Sequence, residues 1–211
     1  MSSTTLSHKI VIIDYGVGNV HSVSNAISYL GYTKLKISSD EKVIREADVL
    51  ILPGVGAFDE AVKNLRSRHL EKILNEQVLI KKKPILGICV GMQMLASHSE
   101  ENGLHAGLNW IEGRVKKMQL PSSFALPHVG WNNVSVLKSD ALFEGLENAS
   151  NFYFDHNYNF ECDEKYLAAV SEYGCRITAA VCKENIYGVQ FHPEKSQTKG
   201  LKLFRSFLNS I

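Results

Sequence analysis

The chain lacks a surplus of charge of either sign. Lys and Arg total 23 against 22 Asp and Glu, a formal charge of +1 over 211 residues. That balance argues against a nucleic-acid surface and against an acidic interaction tail. No apolar run approaches the roughly 20 residues needed to cross a bilayer, and the first residues show no charged-then-apolar signal segment, so no membrane attachment is expected. The four cysteines, Cys89, Cys162, Cys175 and Cys182, form no CxxC pair and no zinc-ligand spacing. That leaves no case for a metal or other cofactor and predicts a reducing, cytoplasmic setting. There is no internal repeat, low-complexity tract or linker, and the length fits one domain that can bury a core without covalent staples. Met1 to His8, polar and rich in Ser and Thr, reads as a loose extension, with one domain over residues 9–211.

What is present is an alternation of β-branched runs and helical stretches. Lys9-Ile10-Val11-Ile12-Ile13-Asp14 has no polar alternation, the mark of a parallel strand covered on both faces. Tyr15-Gly16-Val17-Gly18-Asn19 turns it into a helix over residues 22–30. The third glycine of a dinucleotide fingerprint is replaced by His21, so a tight strand-to-helix turn explains the pair of glycines better. A strand at residues 35–37, an N-cap at Asp40, a strand at residues 49–52, helices over 59–65 and 70–80, and a solvated cationic end at Lys81-Lys82-Lys83 follow. Beyond Leu104 the pattern changes to short strands at 113–120, 130–137, 152–160, 168–170, 179–183 and 187–191, with a hairpin turn at Glu184-Asn185. A closing helix places Leu201, Phe204, Phe207 and Leu208 on one face. The fold class is α/β: a single domain with an open, mostly parallel sheet flanked by helices, partly antiparallel in its second half. Its site is expected at the carboxyl ends of the strands.

The Gly16, Gly54 and Cys89 loops would lie on that edge, and three stretches would carry chemistry there if the chain folds so that His192 reaches Cys89. Pro84 to Leu95 leads an apolar strand to Cys89 with a glycine two residues to either side, Gly87 and Gly91, which suits a sharp strand-to-helix elbow. A cysteine there gains from the N–H groups opening the next helix, although a lone cysteine is otherwise more often a core residue. Pro53-Gly54-Val55-Gly56-Ala57-Phe58 is either a simple turn or a loop whose N–H groups face a ligand. Gly188 to Glu194 ends a strand on His192 with Glu194 two residues later, a general base and an orienting carboxylate for a cysteine nucleophile.

Together these stretches closely resemble the class I (triad) glutamine amidotransferases. Asp14 to Asn19, Pro53 to Phe58, Pro127-His128-Val129-Gly130-Trp131-Asn132 and His192-Pro193-Glu194-Lys195-Ser196 resemble more narrowly the glutaminase subunits of imidazole glycerol phosphate synthases. The resemblance runs from about Lys9 to the last residue and implies a flavodoxin-like amidotransferase fold. It implies that Cys89 attacks the side-chain amide of L-glutamine, that His192 moves the proton and that Glu194 orients the imidazole. It further implies an oxyanion site at the N–H groups of Val55 and Val90, and glutamine contacts at Gly54, Gly56, Gln93, Glu101 and Asn157. Taken alone, Gln93 reads as a polar residue of the elbow helix and Glu101 as a solvated acid. The family passes ammonia to a (β/α)8-barrel synthase subunit, so a heterodimer is implied, with Asn19, His128, Trp131 and Asn132 toward that partner. Trp131 is the candidate anchor of the contact, or else an ordinary core tryptophan.

The chain departs from the histidine-pathway pattern at Tyr153-Phe154-Asp155-His156-Asn157-Tyr158, where the family has an apolar residue before the histidine and a hydroxyl residue after it. A smaller departure is Asn109 in Gly107-Leu108-Asn109, where the family usually reads Gly-Leu-Gly. An acid beside His156 would raise the imidazole pKa. The changes leave the glutaminase centre whole and open a second reading, a paralogue supplying ammonia to another synthase, such as one amidating a surface-polysaccharide sugar. A third is a non-catalytic binding protein of the same fold, against which the full Cys89, His192 and Glu194 set argues.

Overall fold

Ile10-Val11-Ile12-Ile13 offers no polar position, so the run is stable only with cover on both faces. In the computed structural model, which describes residues 7–138 and 141–211, it is strand β1 (Ile10–Ile13), buried throughout. Six of the eight residues of the expected loose extension lie outside the described residues. Helix α1 (Val20–Tyr29) begins two residues before its expected start and buries Val23 and Ile27. Strand β2 (Leu35–Ser38) leads to α2 (Glu41–Glu46), where the Asp40 carboxylate accepts from the Val43 N–H at 3.0 Å, the N-cap read from the sequence. Strand β3 (Val49–Gly54), helices α3 (Phe58–Ser67) and α4 (Leu70–Asn75), a π-helical turn at Glu76–Ile80, strand β4 (Ile85–Cys89) and the short helix α5 (Val90–Gln93) complete the parallel half. Lys83 corrects the solvated cationic end: it is buried, and its ammonium donates to the carbonyls of Ile44 at 2.8 Å and Arg45 at 3.0 Å. The last carbonyls of α2 lack partners within their own helix, so the amine fits there.

The second half comprises β5 (His98–Ser99), β6 (His105–Ala106), β7 (Gly113–Lys117), β8 (His128–Val136), β9 (Ser150–His156), β10 (Tyr158–Cys162), β11 (Leu167–Glu172), β12 (Arg176–Lys183), β13 (Ile186–Val189) and α6 (Gln197–Asn209). Among the described residues, nine strands form one sheet in the order β2-β1-β3-β4-β13-β12-β11-β8-β9, and β10-β7-β5-β6 form a smaller one. The sheet is parallel from β2 to β13 and antiparallel beyond. The single strand expected over 152–160 is two, broken at Asn157, with β9 in the large sheet and β10 in the small one. α6 buries Gly200, Leu203, Phe204, Phe207 and Leu208 against the sheet, so Leu203 takes the place expected of Leu201.

Register places the site. Gly54 pairs with Cys89 across β3 and β4, and Ile88 with Val189 across β4 and β13. The ends of three adjacent parallel strands therefore deliver the glycine loop, the cysteine and the segment running to His192 to one edge, where open α/β sheets hold ligands.

Candidate active site

Cys89 takes φ +54° and ψ −114° between β4 and α5, a region that side chains with a Cβ rarely enter and that persists only when surroundings enforce it. The enforcement is close packing. A Cβ on Gly91 would lie 1.8 Å from the Leu52 carbonyl oxygen, and one on Gly54 would lie 2.6 Å from the Gly91 nitrogen and 2.8 Å from the Tyr15 hydroxyl. The elbow is thus pressed onto the end of β3 with no space for side chains at either glycine.

His192 follows β13, and the chain there is clamped to β9. Its N–H donates to the Tyr153 carbonyl at 2.8 Å, while the buried Ser196 hydroxyl donates to the His192 carbonyl at 2.6 Å and accepts from the Tyr153 N–H at 3.0 Å. Nδ1 of His192 lies 2.8 Å from Oε1 of Glu194, whose side chain is 1% exposed. With Nδ1 engaged, Nε2 is the nitrogen left for Cys89. Burial alone would lower the His192 pKa, but the charge of Cys89 and hydrogen bonds to Cys89 and Glu194 outweigh it and hold the imidazole above its ordinary range. An imidazole so held is placed to take the proton of the Cys89 thiol, the step that makes a cysteine nucleophilic.

A cavity of about 300 Å³ opens over these groups, lined in part by Val55, Gly56, Val90, Gln93, Glu101 and Asn157 as well as Cys89 and His192. The eight converge from five separate stretches of chain. Glu194 is held against His192, and neither it nor Gly54 is among the residues lining the cavity. Gln93 is buried, its amide nitrogen 3.0 Å from Gln190 Oε1 and 3.3 Å from the Tyr158 carbonyl. Glu101 is no solvated acid. Its Oε2 accepts from the Phe58 N–H that opens α3, at 2.9 Å, and burial raises its pKa against that bond. Tyr15, quoted in the sequence only as part of a loop, buries its ring and donates from its hydroxyl to the Pro53 carbonyl at 2.7 Å, which holds the root of the glycine loop. Its acidity is suppressed, first by burial and then by the charge of Cys89. Tyr15, Ser196 and Gln190 are the site residues that sequence reasoning missed. Each lies inside a quoted motif, but nothing local marks its partner.

The residues expected at a partner face divide. Trp131 is 48% exposed on β8, with its ring edge-on to Tyr153, so the core-tryptophan reading fails; the core tryptophan is Trp110. Asn132 and Asn19 are partly exposed. His128 is corrected: it is 2% exposed, stacked on Tyr173 and Phe154 at ring separations of 4.0 and 4.8 Å. Alternation along β8 turns Val129 and Trp131 outward and His128 inward.

The expectation for His156 is also overturned. Asp155 and His156 alternate on β9, the acid exposed and the histidine buried, so the carboxylate does not govern the ring. Its pKa falls to about 4, first through burial and then through His128 and His192, against the bond from its Nδ1 to the Tyr158 carbonyl at 2.8 Å. His128 also falls to about 4 through burial, and its Nδ1 lies 2.9 Å from His156 Nε2. An unfolded chain takes up these two protons near pH 6.5, whereas the folded chain refuses them until about pH 4. The pair's contribution to stability is therefore complete above pH 6.5 and is lost as pH falls to 4. The melting temperature should drop across that window, and less steeply in His128→Asn; identical slopes in thermal melts would contradict the assignment.

A model of the family described as glutamine amidotransferase class-I matches residues 11–210. A Vibrio vulnificus protein named imidazole glycerol phosphate synthase subunit HisH 2 is 50% identical over 96% of this chain and 95% of its own. A Methanococcus maripaludis protein of the same name is 46% identical over 94% of this chain and 98% of its own. A chain of the PurLQS structure from Thermotoga maritima superposes with a TM-score of 0.69 at 18% identity, covering 97% of this chain and 99% of that one, a likeness of fold.

Proposed function

The chain belongs to the class-I glutamine amidotransferases, and on that premise we propose that it is the glutaminase subunit of an imidazole glycerol phosphate synthase, working in histidine biosynthesis. The observation that carries the glutaminase chemistry is the meeting of Cys89, at positive φ, with an imidazole whose other nitrogen is fixed by a buried carboxylate. The near-full-length likeness to proteins named for that synthase supports the pathway.

The Cys89 thiolate adds to the side-chain amide carbon of glutamine, forming a C–S bond and moving the carbonyl electrons onto oxygen. The N–H groups of Val90, opening α5, and of Val55 are the proposed donors to that oxyanion; losing one such donor costs about 10²–10³ in kcat. His192 gives its Nε2 proton to the departing nitrogen, which leaves as ammonia, and a γ-glutamyl thioester remains. Water then attacks the thioester while His192 takes its proton, and the thiol departs as glutamate is released. Gln93, Glu101, Asn157 and the Gly56 backbone are the proposed glutamine contacts, with Gly54 supporting the loop from outside the cavity wall. Glu101 offers the negative charge that an α-ammonium needs.

Ammonia in neutral water is mostly ammonium, which has no lone pair to attack with, so the product needs a covered route to its acceptor. The proposed acceptor subunit is a (β/α)8-barrel cyclase. Trp131 is its proposed anchor, an aromatic half out of the surface, and the partly exposed Asn132 and Asn19 are further proposed contacts. A reducing cytoplasm suits four free cysteines. Among the described residues no helix is long and apolar enough to cross a membrane.

The test is transfer from amide-¹⁵N glutamine in the complex purified with its barrel subunit. Labelled imidazole glycerol phosphate is the expected product, with hydrolysis rising strongly when partner and acceptor are bound. Glutamate formed without that product would favour the paralogue reading to which Asp155 and Asn157 point, and equal rates with and without the barrel would contradict coupling.

A further inference from the structure

We infer that Gln190 is a donor to the reacting sulfur, holding Cys89 in its nucleophilic form before any glutamine arrives; this rests on the glutaminase reading above. Gln190 is the first residue beyond β13 and is 0% exposed. Its N–H is tied to the Ala179 carbonyl of β12 at 2.9 Å, so its backbone belongs to the sheet. Nε2 of its amide lies 3.7 Å from Cys89 Sγ, within reach of an N–H···S bond.

The orientation of that amide follows from its neighbours. Two amide ends look alike, so the network must assign them. The Tyr158 carbonyl can only accept, which makes the Gln93 atom 3.3 Å from it the NH₂ group. That same NH₂ lies 3.0 Å from the Gln190 amide, so the Gln190 atom facing it is the oxygen. The NH₂ of Gln190 is then the end aimed at sulfur. A second donor, His156 Nδ1, 2.8 Å from the Tyr158 carbonyl, pins the start of this sequence.

A donor buried against sulfur favours thiolate over thiol, because the charged form accepts the stronger bond. Gln190 therefore acts on reactivity toward any electrophile, whereas glutamine contacts act only on glutamine. That difference gives a readout that packing alone would not move.

The experiment measures alkylation of Cys89 by iodoacetamide across pH, read at the Cys89 peptide by mass spectrometry, beside glutaminase kinetics in the complex. Gln190→Met keeps the volume and removes the donor. At pH 7 its alkylation should slow about 10-fold and its pH midpoint rise about one unit, with kcat falling comparably. Gln190→Glu keeps an acceptor for Gln93 and sets a carboxyl where the donor stood, and it should be slower still. If Gln190→Met fails to fold, Gln190→Asn, which withdraws the amide by one carbon, should show the same slowing. Wild-type alkylation in the folded variants, or Glu no slower than Met, would overturn the inference. Full activity in Cys89→Ala would instead remove the nucleophile reading on which it stands.

Discussion

Cys89→Ala is expected to lower glutamine hydrolysis by at least about 10³-fold while leaving synthesis from added ammonium salt in the complex near wild type. The substitution removes one sulfur from a site where Cys89 is almost buried, and alanine meets the same positive φ as cysteine, so the backbone strain is unchanged. Stability should move by no more than about 1 kcal/mol. Glutamate release, ammonia-driven product formation and a melting curve on one preparation separate the outcomes. Loss of both activities with an unchanged melt would mean that Cys89 also serves the path to the acceptor. Retained hydrolysis would remove it as nucleophile.

Gly91→Ala is expected to have the largest structural effect of any single methyl added at the site. Its Cβ would fall 1.8 Å from the Leu52 carbonyl oxygen and 3.3 Å from the Pro53 carbonyl carbon, both backbone atoms of β3. Neither can swing aside as a side chain could, so β3 and α5 must part, and β3 ends in the glycine loop. A cost of about 3 kcal/mol, at the upper end for overpacking, corresponds to a fall of roughly 6–12 °C in Tm for a chain of this size. Hydrolysis should fall by about 10² or more, since parting the elements moves Val55 relative to Val90. Gly56→Ala is the comparison. It carries the strain of φ +84° but meets no atom within 4 Å, so its melt should shift by no more than a few degrees. Equal melts for the two variants would show that the elbow is not packed as described.

The parallel half was legible because a strand covered on both faces writes itself as an unbroken apolar run, as Ile10 to Ile13 and Val49 to Leu52 do. Cys89, His192 and Glu194 were legible for a related reason: each sits where such a run stops. The antiparallel half was read less well. Its strands are covered unevenly, and the break at Asn157 is set by which sheet each flank joins, information that lies in distant strands. Lys83 shows the same limit. A lysine run beside a helix end normally faces water, and only the position of α2 against it makes a dry, hydrogen-bonded amine the better solution. For His156 the adjacent acid suggested the wrong direction, since neighbours in a strand point to opposite faces. Gln190 and Ser196 stood in a quoted motif, yet their roles depend on Cys89 and Tyr153, which no local pattern names.

The position of β13 has a consequence for the timing of synthesis. Gln190, just past that strand, stands 101 residues after Cys89, so a chain growing at about 5–20 residues per second exposes the thiol some 5–20 s before its base is made. During that interval β4 has β3 on one side and an unpaired edge on the other, because β13 is inserted between β4 and β12 rather than added at the rim. The same late pairing closes the sheet and brings His192 to Cys89. A nascent chain thus carries a cysteine without its base until residue 192 has been made.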